Sequence, residues 1–544
     1  MLNMLEWVRK HSEDPAGPTS DAMPGAGSLP DLQGAEPLTA LEELSAALDP
    51  AGRAAGAQPK AKSEILARIQ DAGAVHVRTL LAQYHASPES KRAARDASWK
   101  SLVHYQSRLT QALAASAQAL MNAAKEDRSL LLPGAASAAR ALQACRTFTK
   151  VGLIHYSSAP GSLWRLAYSL HALAEAAGGA DLQIRAHADQ KNPDISITWT
   201  VTTVSQELLR LLMLQMSAPD MLAPEQIEVV DRVVERVGND FTLRPHGVAD
   251  NPFCFEPGSD APPRRAPVAP TEPRPALRYF GPGMGFDALE RMRKQLAGAR
   301  LQDIKAFGKD IAPAVQLSTV QHLLLFWHTT CPYSPPPHTE ATGSLETFHH
   351  YAQVWQQLSG AQRGAGELAL ADAGDGPPQA AETWSLRDTG GNELGAELAH
   401  SSGGWAKCGA VISLSPGGSG DCWVGVIRRM HAGPRGSLRA DIAVLSRKPL
   451  ALLLREVLEF GEEQTFSNAA SRQFALGSVR SIILADGAEN SQPPNLLLPP
   501  ESWNEGRLYE VQGEDNPRYL RGLQVVRRGD DYVRATFEWV SGPG

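Results

Sequence analysis

A change of hydrophobic period partway along the chain limits its fold more than any other feature of the sequence. From residue 39 to about 237, apolar side chains recur at three- and four-residue steps in Ala-rich sequence, which indicates closely packed helices. From about residue 381 onward, short β-type runs are separated by Gly, Pro, Asn and Asp. We therefore predict an α+β multidomain protein with an α-helical N-terminal half, a Pro-rich linker, and C-terminal helices plus one or more small antiparallel β-barrels.

Flanking residues place individual helices and strands. PEQIEVVDRVVERVG is bounded by Pro224 and Gly238, the usual punctuation of a helix. GFDALERMRKQLAG carries its apolar residues on one face, and STVQHLLLFW has Ser318 as its expected N-cap. The runs GAVISL, CWVGVIRRM and LRADIAVLS are predicted strands, and the turn HAGPRG joins the last two.

A Pro-rich segment, EPGSDAPPRRAPVAPTEPRPAL, separates the two halves at residues 256–277. Such a chain is extended and semi-rigid, so we predict that it is a linker between domains. The expected segments are 1–38, disordered; 39–255, an α-helical domain; 256–277, the linker; 278–380, a helical connecting region; 381–458, a small β-barrel; and 459–544, a C-terminal β-rich region.

Charge and cysteine content argue against several classes of protein. The formal net charge of -7 disfavours a protein that coats nucleic acid or an anionic membrane, because such partners need clustered Lys and Arg. Five widely spaced cysteines without a CxxC pattern favour a reducing compartment over a disulfide framework or a zinc site. The start lacks a signal-peptide pattern, and no apolar run approaches the ~20 residues of a membrane span. We expect a cytoplasmic protein.

The sequence shows no pattern typical of a catalytic or metal site. It has no HExxH, GxSxG or Walker motif. His349 and His350 are neighbours, and neighbouring residues of a strand point to opposite faces, so they would not readily share one metal ion. We expect no catalytic residue, no metal and no cofactor.

The stretch WSLRDTGGNELGAEL, residues 384–398, is predicted to be a Gly-rich loop between strands at the start of the barrel. It resembles the loop D/N-x-S-x-x-G, often followed by x-G, of PilZ domains, with Asp388 at the first position and Gly395 at the last. CWVGVIRRM and LRADIAVLS resemble the strands that follow in that family. HLLLFW and PPNLLLPP resemble landmarks of longer PilZ proteins, so the resemblance covers about residues 280–540.

The resemblance implies a bacterial, non-enzymatic effector of the second messenger cyclic diguanylate. In that family an Arg-x-x-x-Arg segment ahead of the first strand binds guanine edges and phosphates. This chain has no Arg between Val315 and Gln362, and Gly390 and Glu393 replace the Ser and the first Gly of the loop. We therefore predict a signalling adaptor with a degenerate nucleotide site, which acts through protein contacts of its helical half and whose Gly-rich loop only turns the chain.

Two alternatives remain at the level of sequence. The chain could be a genuine cyclic diguanylate receptor that uses non-standard arginines. Its candidate ligand-binding residues are then Arg387, Asp388, Gly395, Arg428 and Arg429. The second alternative is an enzyme with an unrecognised site.

Overall fold

Small residues and a helical apolar period give the N-terminal half its α-helices. In the computed structural model these run in chain order as α1 Pro37–Arg53, α2 Pro59–Ala86, α3 Arg92–Ala123, α4 Leu131–Ile154, α5 Gly161–Ala177, α6 Val204–Gln215 and α7 Pro224–Val237. Buried Ala, Leu and Val side chains fill the contacts between them and form one hydrophobic core. As the sequence predicts, α7 begins at Pro224 and ends just before Gly238.

The chain divides into two compact units, Leu2–Ser334 and Pro335–Gly544. The structure describes residues 32, 34–53, 58–87, 92–185, 201–267, 276–298, 307–308, 310–331, 338–363, 381–399, 404–417, 420–433, 436–457, 477–484, 494–512 and 516–541. The segment 1–38, predicted to be disordered, lies almost entirely outside these residues.

A buried ion network joins α4 to α7 inside the helical unit. Nζ of Lys150 lies 2.8 Å from Asp231 and 3.0 Å from Glu228, and Arg146 lies 2.9 Å from Glu235. Burial lowers the pKa of Lys150, but the two carboxylates outweigh burial and hold that pKa above its usual value. Charges buried this deeply are tolerated only when they are paired, so the network fixes how the two helices meet.

Part of the predicted linker packs in the helical unit as sheet. The strands of this unit are β1 Ile184–Arg185, β2 Val201–Thr202, β3 Thr242–Arg244, β4 Phe253–Phe255, β5 Arg264–Arg265 and β6 Arg278–Gly281. β1 pairs with β2, and the others form a sheet in the order β3-β6-β4-β5. Residues 268–275 of the predicted linker lie outside the described residues.

Two further helices, α8 Gly285–Gly298 and α9 Pro313–Phe326, follow in this unit. The expectation that Ser318 caps a helix is wrong, because α9 already begins at Pro313, a residue suited to the first turn. The Ser318 hydroxyl instead donates to the carbonyl of Val315 at 3.0 Å. Arg265 donates to three carbonyls at the end of α9 and just past it, where a cation offsets the partial negative charge of a helix end. Among the described helices, none combines the length and apolar content that crossing a bilayer requires.

Two closed six-stranded barrels form the C-terminal unit. The strands of the first barrel are β7 Thr339–His349, β8 Glu382–Gly390, β9 Glu393–Leu398, β10 Val411–Pro416, β11 Trp423–Ala432 and β12 Leu438–Ser446, in the order β10-β11-β12-β9-β8-β7. Its first strand comes from the segment 278–380, which the sequence predicts to be a helical connecting region. The runs GAVISL, CWVGVIRRM and LRADIAVLS supply β10, β11 and β12 as predicted.

The second barrel follows directly along the chain. Its strands are β13 Pro449–Val457, β14 Ser478–Leu484, β15 Asn495–Leu498, β16 Leu508–Val511, β17 Tyr519–Arg528 and β18 Val533–Val540, in the order β13-β14-β15-β18-β17-β16. All pairs in both barrels are antiparallel, and alternate side chains fill each interior. The predicted fold class, a helical N-terminal half followed by small antiparallel barrels, is confirmed.

Helix α10, Tyr351–Arg363, packs against both barrels. The Tyr351 hydroxyl lies 2.8 Å from the carbonyl of Arg480 and 2.9 Å from that of Leu497, and burial raises the pKa of the phenol. Nε1 of Trp355 lies 3.1 Å from the carbonyl of Leu452. One helix therefore gives the two barrels a shared core.

Candidate functional site

The stretch WSLRDTGGNELGAEL forms a hairpin rather than the long loop expected from the sequence. Asp388 lies in β8 and Gly395 in β9, and the two residues are paired across the hairpin. The turn itself consists of Gly391, which has a positive φ of 57°, and Asn392. A two-residue turn with Gly at its first central position matches the twist of the flanking strands. The turning part of the predicted loop is therefore only two residues long.

Gly395 makes room for the carboxylate of Asp388. A Cβ built on Gly395 would lie 2.2 Å from Oδ1 and 2.6 Å from Oδ2 of Asp388. A larger residue cannot fit there unless the carboxylate moves. The Asp and Gly of the PilZ-like pattern are thus coupled by packing in this barrel.

The Asp388 carboxylate, only 7% exposed, meets two basic side chains. Its Oδ1 lies 2.5 Å from Nδ1 of His338, just ahead of β7. Its Oδ2 accepts a hydrogen bond of 2.6 Å from Nη2 of Arg439 on β12. Both oxygens of the buried acid are satisfied, which offsets much of the cost of removing its charge from water.

Glu393, at the start of β9, is a second buried acid in the same group. Its Oε1 lies 3.3 Å from Nη1 of Arg428 on β11, and its Oε2 lies 3.9 Å from Nε2 of His338. His338 therefore stands between two carboxylates. We call His338, Asp388, Glu393, Arg428 and Arg439 the Asp388 cluster.

β-Bulges decide where two of the sequence-predicted arginines lie. The register of β8 against β9 shifts at Arg387, and the register of β11 against β12 shifts at Arg428. A bulge interrupts the alternation of faces and re-aims a side chain, and bulges are frequent beside functional sites. The bulge in β11 accompanies the placement of Arg428 against Glu393.

Arg387, on β8, and Arg429, on β11, are not members of the Asp388 cluster. Arg387 is half exposed and makes an ion pair of 2.7 Å with Glu397 of β9. A hydrogen bond from Ser437, together with Arg387, lowers the pKa of Glu397. Arg429 follows the bulge and lies opposite Asp441 of β12.

The cluster combines groups that suit a planar polar ligand. Carboxylates accept hydrogen bonds from N–H groups, and guanidinium forks donate to paired oxygens, ring nitrogens and phosphates. Both arginines of the cluster already pair with an acid of the same barrel. A ligand that binds these arginines must therefore displace the acids with which they pair. Within the described part of the chain, no group of three or more His, Cys, Asp or Glu side chains could hold a metal ion.

The helical unit holds a separate concave site between α5, α6 and β3. Its volume is about 360 Å³, within the range of small-molecule sites. Two acids, Glu175 and Asp181, and two arginines, Arg244 and Arg278, belong to its lining. His171 also lines the cavity, and burial lowers the pKa of its imidazole.

Residues 27–246 match the family model of the N-terminal domain of the cyclic-di-GMP receptor FimW. The matched range contains α1 to α7 and most of the residues that line the cavity, and it ends before the Asp388 cluster. It also lies outside residues 280–540, where the sequence resembles PilZ proteins, and the matched model is not that of a PilZ domain. No curated protein and no solved structure matches the chain.

Three of the five residues predicted from the sequence, Asp388, Gly395 and Arg428, lie in the Asp388 cluster or directly against it. The sequence did not identify Arg439. Alternation along LRADIAVLS places Arg439 on the more exposed face of β12, but nothing in the sequence shows that β12 pairs with β9. In the sequence, Glu393 replaces the first Gly of the PilZ pattern. In the structure, its carboxylate forms an ion pair with Arg428.

Proposed function

We propose that this protein is a non-enzymatic receptor for cyclic diguanylate that transmits the signal to a protein partner. The observation that carries the proposal is the match of residues 27–246 to the N-terminal domain of a cyclic-di-GMP receptor. That match favours the receptor alternative over the messenger-free adaptor expected from the sequence. In this proposal the C-terminal unit supplies the ligand site, and the helical unit, which has its own core, contacts the partner.

The Asp388 cluster is the site we assign to a guanine base. Guanine presents N–H donors on one edge and the acceptors O6 and N7 on another. The carboxylate of Asp388 or Glu393 can accept from the donor edge, while the guanidinium of Arg428 or Arg439 can donate to O6 and N7. The burial of both acids strengthens such hydrogen bonds, because water competes less for the same groups.

In this proposal the barrel of β7 to β12 is a divergent PilZ-like domain. Asp388 and Gly395 occupy matching positions of the PilZ loop pattern, and Gly395 leaves the space that the Asp388 carboxylate fills. The Arg-x-x-x-Arg segment of that family is missing here. Arg428 and Arg439, which arrive from β11 and β12, take over part of its role.

A messenger-free adaptor is the second candidate function, and one observation favours it. Arg428 and Arg439 are engaged by Glu393 and Asp388 without any ligand. Hydrogen bonds to charged groups contribute about 1.5–3 kcal/mol each. Breaking two of them would consume a large share of the ~8 kcal/mol that corresponds to micromolar affinity. The adaptor would keep these pairs as structural contacts of the barrel.

Isothermal titration of the intact chain with cyclic diguanylate, with GTP as the control ligand, tests the proposal. We expect saturable binding at about micromolar concentration or below. Asp388→Asn should weaken it about tenfold or more, because the neutral amide accepts more weakly and loses the pairing with Arg439. Arg455→Gln, which removes an ion pair of 2.6 Å with Glu510 in the second barrel, is the matched control. If the messenger gives neither heat nor thermal stabilisation, the receptor function is refuted and the adaptor stands.

A further inference from the structure

The turn between β17 and β18 of the second barrel reaches the first barrel and α10. Asp530 forms an ion pair with Lys407, ahead of β10. Asp531 accepts a hydrogen bond of 2.7 Å from the backbone N–H of Tyr351. Tyr532 is 1% exposed and belongs to the core that α10 shares with both barrels. The residues that flank this turn are therefore held at the junction of the barrels.

Two arginines face each other at this junction, and the charge of a third acts on one of them. Arg527 of β17 and Arg534 of β18 lie directly opposite each other across the hairpin. Arg534 is partly buried, and burial lowers the pKa of its guanidinium. The charges of Arg428, from the first barrel, and of Arg527 lower it further. Like charges in opposed positions of a hairpin destabilise it, so this arrangement needs a compensating partner.

Two of these arginines, Arg527 and Arg534, meet little negative charge, whereas Arg428 pairs with Glu393. Nε of Arg534 donates to the side-chain oxygen of Asn495 at 3.1 Å, which is a neutral acceptor. Among the described residues, neither Arg527 nor Arg534 pairs with a carboxylate. The acids of the adjoining turn are occupied by Lys407 and by the backbone of Tyr351. Uncompensated guanidinium groups gathered in this way are the electrostatic requirement of a phosphate site.

A buried hydroxyl lies beside the same arginines. The Tyr532 ring folds over Gly529, where a Cβ would lie 2.2 Å from the ring. Burial raises the pKa of Tyr532 to about 12, while the charges of Arg527 and Arg534 act on it in the opposite direction. Within the described part of the chain, the Tyr532 hydroxyl has no hydrogen-bond partner. A buried O–H without an acceptor is costly, so an acceptor that reached this hydroxyl would stabilise the barrel.

We propose that Arg428, Arg527 and Arg534 bind a phosphate group of the cyclic dinucleotide, with the Tyr532 hydroxyl as a further donor. This inference rests on the proposed receptor function and names cations that would take over the phosphate contacts of the missing Arg-x-x-x-Arg segment. Guanidinium groups from two barrels can donate to the oxygens of one phosphate from different directions. Arg428 also contacts Glu393 of the Asp388 cluster, so the base site and the phosphate site are contiguous.

Titration of the intact chain with cyclic diguanylate tests this assignment. Arg527→Gln and Arg534→Gln should each weaken binding about tenfold or more, because each removes charged hydrogen bonds to the phosphate. Tyr532→Phe should weaken it about two- to tenfold, since one neutral donor is lost. The matched control is Arg521→Gln on the same strand, whose side chain is half exposed and lies 3.5 Å from Glu538. We expect this control to bind like the unaltered chain.

The outcomes distinguish failure of the site from failure of the function. If the unaltered chain binds the messenger and Arg527→Gln and Arg534→Gln bind equally well, the phosphate site is wrong and the receptor function stands. A loss confined to Arg244→Gln would place the site in the cavity of the helical unit. If the unaltered chain does not bind, both are wrong. Arg527 is exposed, so its substitution should leave the fold intact, which circular dichroism checks.

Discussion

Single glycines decide where the larger polar side chains of this protein can be placed. A Cβ at Gly395 would meet the Asp388 carboxylate at 2.2 Å, and a Cβ at Gly529 would meet the Tyr532 ring at the same distance. In the helical unit a Cβ at Gly73 would lie 2.1 Å from the Tyr105 hydroxyl. Each glycine is therefore required by a neighbour rather than by its own backbone, since none of the three has a positive φ.

Gly395→Ala should damage the Asp388 cluster specifically. The added methyl group pushes the Asp388 carboxylate away from His338 and Arg439, and a buried charge that loses its partners is costly. We expect the free energy of unfolding of the C-terminal unit to fall by about 1–3 kcal/mol. Urea denaturation of the variant measures this loss.

Gly343→Ala is the matched control for that substitution, because its Cβ would approach only Leu386 at 3.8 Å, an ordinary contact. It should change stability by less than about 1 kcal/mol. The double variant Gly395→Ala, Asp388→Ala should lose less stability than the two single losses added together. Strictly additive losses would contradict the coupling of Gly395 to the carboxylate.

His155 makes the helical unit sensitive to acid. The centre of its ring lies 4.4 Å from that of Trp99 and 5.4 Å from that of Tyr84, and burial, aided by the charge of Arg95, lowers its pKa from 6.5 to about 3. Above about pH 6.5 the imidazole is neutral whether or not the chain is folded. As pH falls below 6.5, only the unfolded chain takes up the proton, so the folded state loses about 1.4 kcal/mol per pH unit until about pH 3.

His155→Phe should remove this part of the acid sensitivity. Phenylalanine keeps the packing against Trp99 and Tyr84 and does not titrate, so stability should fall less between about pH 6.5 and 5. The pKa of Glu228 is lowered to about 2 by Lys150 and Arg232 despite its burial. Its stabilising contribution is therefore lost only below about pH 4.5, outside this window. Urea denaturation at about pH 7 and about pH 5 measures the difference. The same loss in variant and unaltered chain would refute the role of His155.

At the scale of elements, α10 connects two barrels that each close on their own hydrogen bonds. Val354 and Leu358 pack into a cluster that includes Val424 of the first barrel and Leu484 of the second. The indole of Trp355 reaches carbonyls of β13 and β14. Barrels joined only by chain could unfold independently, whereas a shared core makes their unfolding cooperative.

Trp355→Ala should weaken that cooperation. Trp355 is 4% exposed, and its removal leaves a cavity that costs about 3–5 kcal/mol. We expect hydrogen exchange to show the second barrel opening without the first, whereas in the unaltered chain the two barrels open together. Leu450→Ala, at a 39% exposed position of β13, should leave the exchange pattern unchanged. Joint opening in the Trp355 variant would show that other contacts couple the barrels.

Local pattern predicts elements here better than it predicts the site. The alternation in CWVGVIRRM and the Pro–Gly punctuation of α7 are local signals, and the predicted elements are present. Strand β7, TEATGSLETFH, is mostly polar and carries no clear β pattern, so local pattern predicts a helical connecting region for its segment. The Asp388 cluster depends on the pairing of β9 with β12 and on a bulge at Arg428, which are long-range features that no local spacing encodes.

At the scale of the molecule, the two lines of support for function fall in different units. The FimW match covers residues 27–246 of the helical unit, whereas the Asp388 cluster and the junction arginines lie in Pro335–Gly544. A receptor needs a site that binds the messenger and a surface that contacts the protein partner. The site and the surface can belong to different units. This placement predicts which of the two units binds cyclic diguanylate when each is produced as a separate fragment.

The fragment Pro335–Gly544 should fold alone and bind cyclic diguanylate about as tightly as the intact chain. It contains two closed barrels, their shared helix and every residue we assign to the base and the phosphate. The fragment Leu2–Ser334, which retains its own core, should fold and bind no messenger. Circular dichroism establishes folding of each fragment, and titration with cyclic diguanylate then measures binding. Binding by the helical fragment alone would move the receptor site to the cavity that Arg244 and Arg278 line, and the barrels would then be the output of the signal.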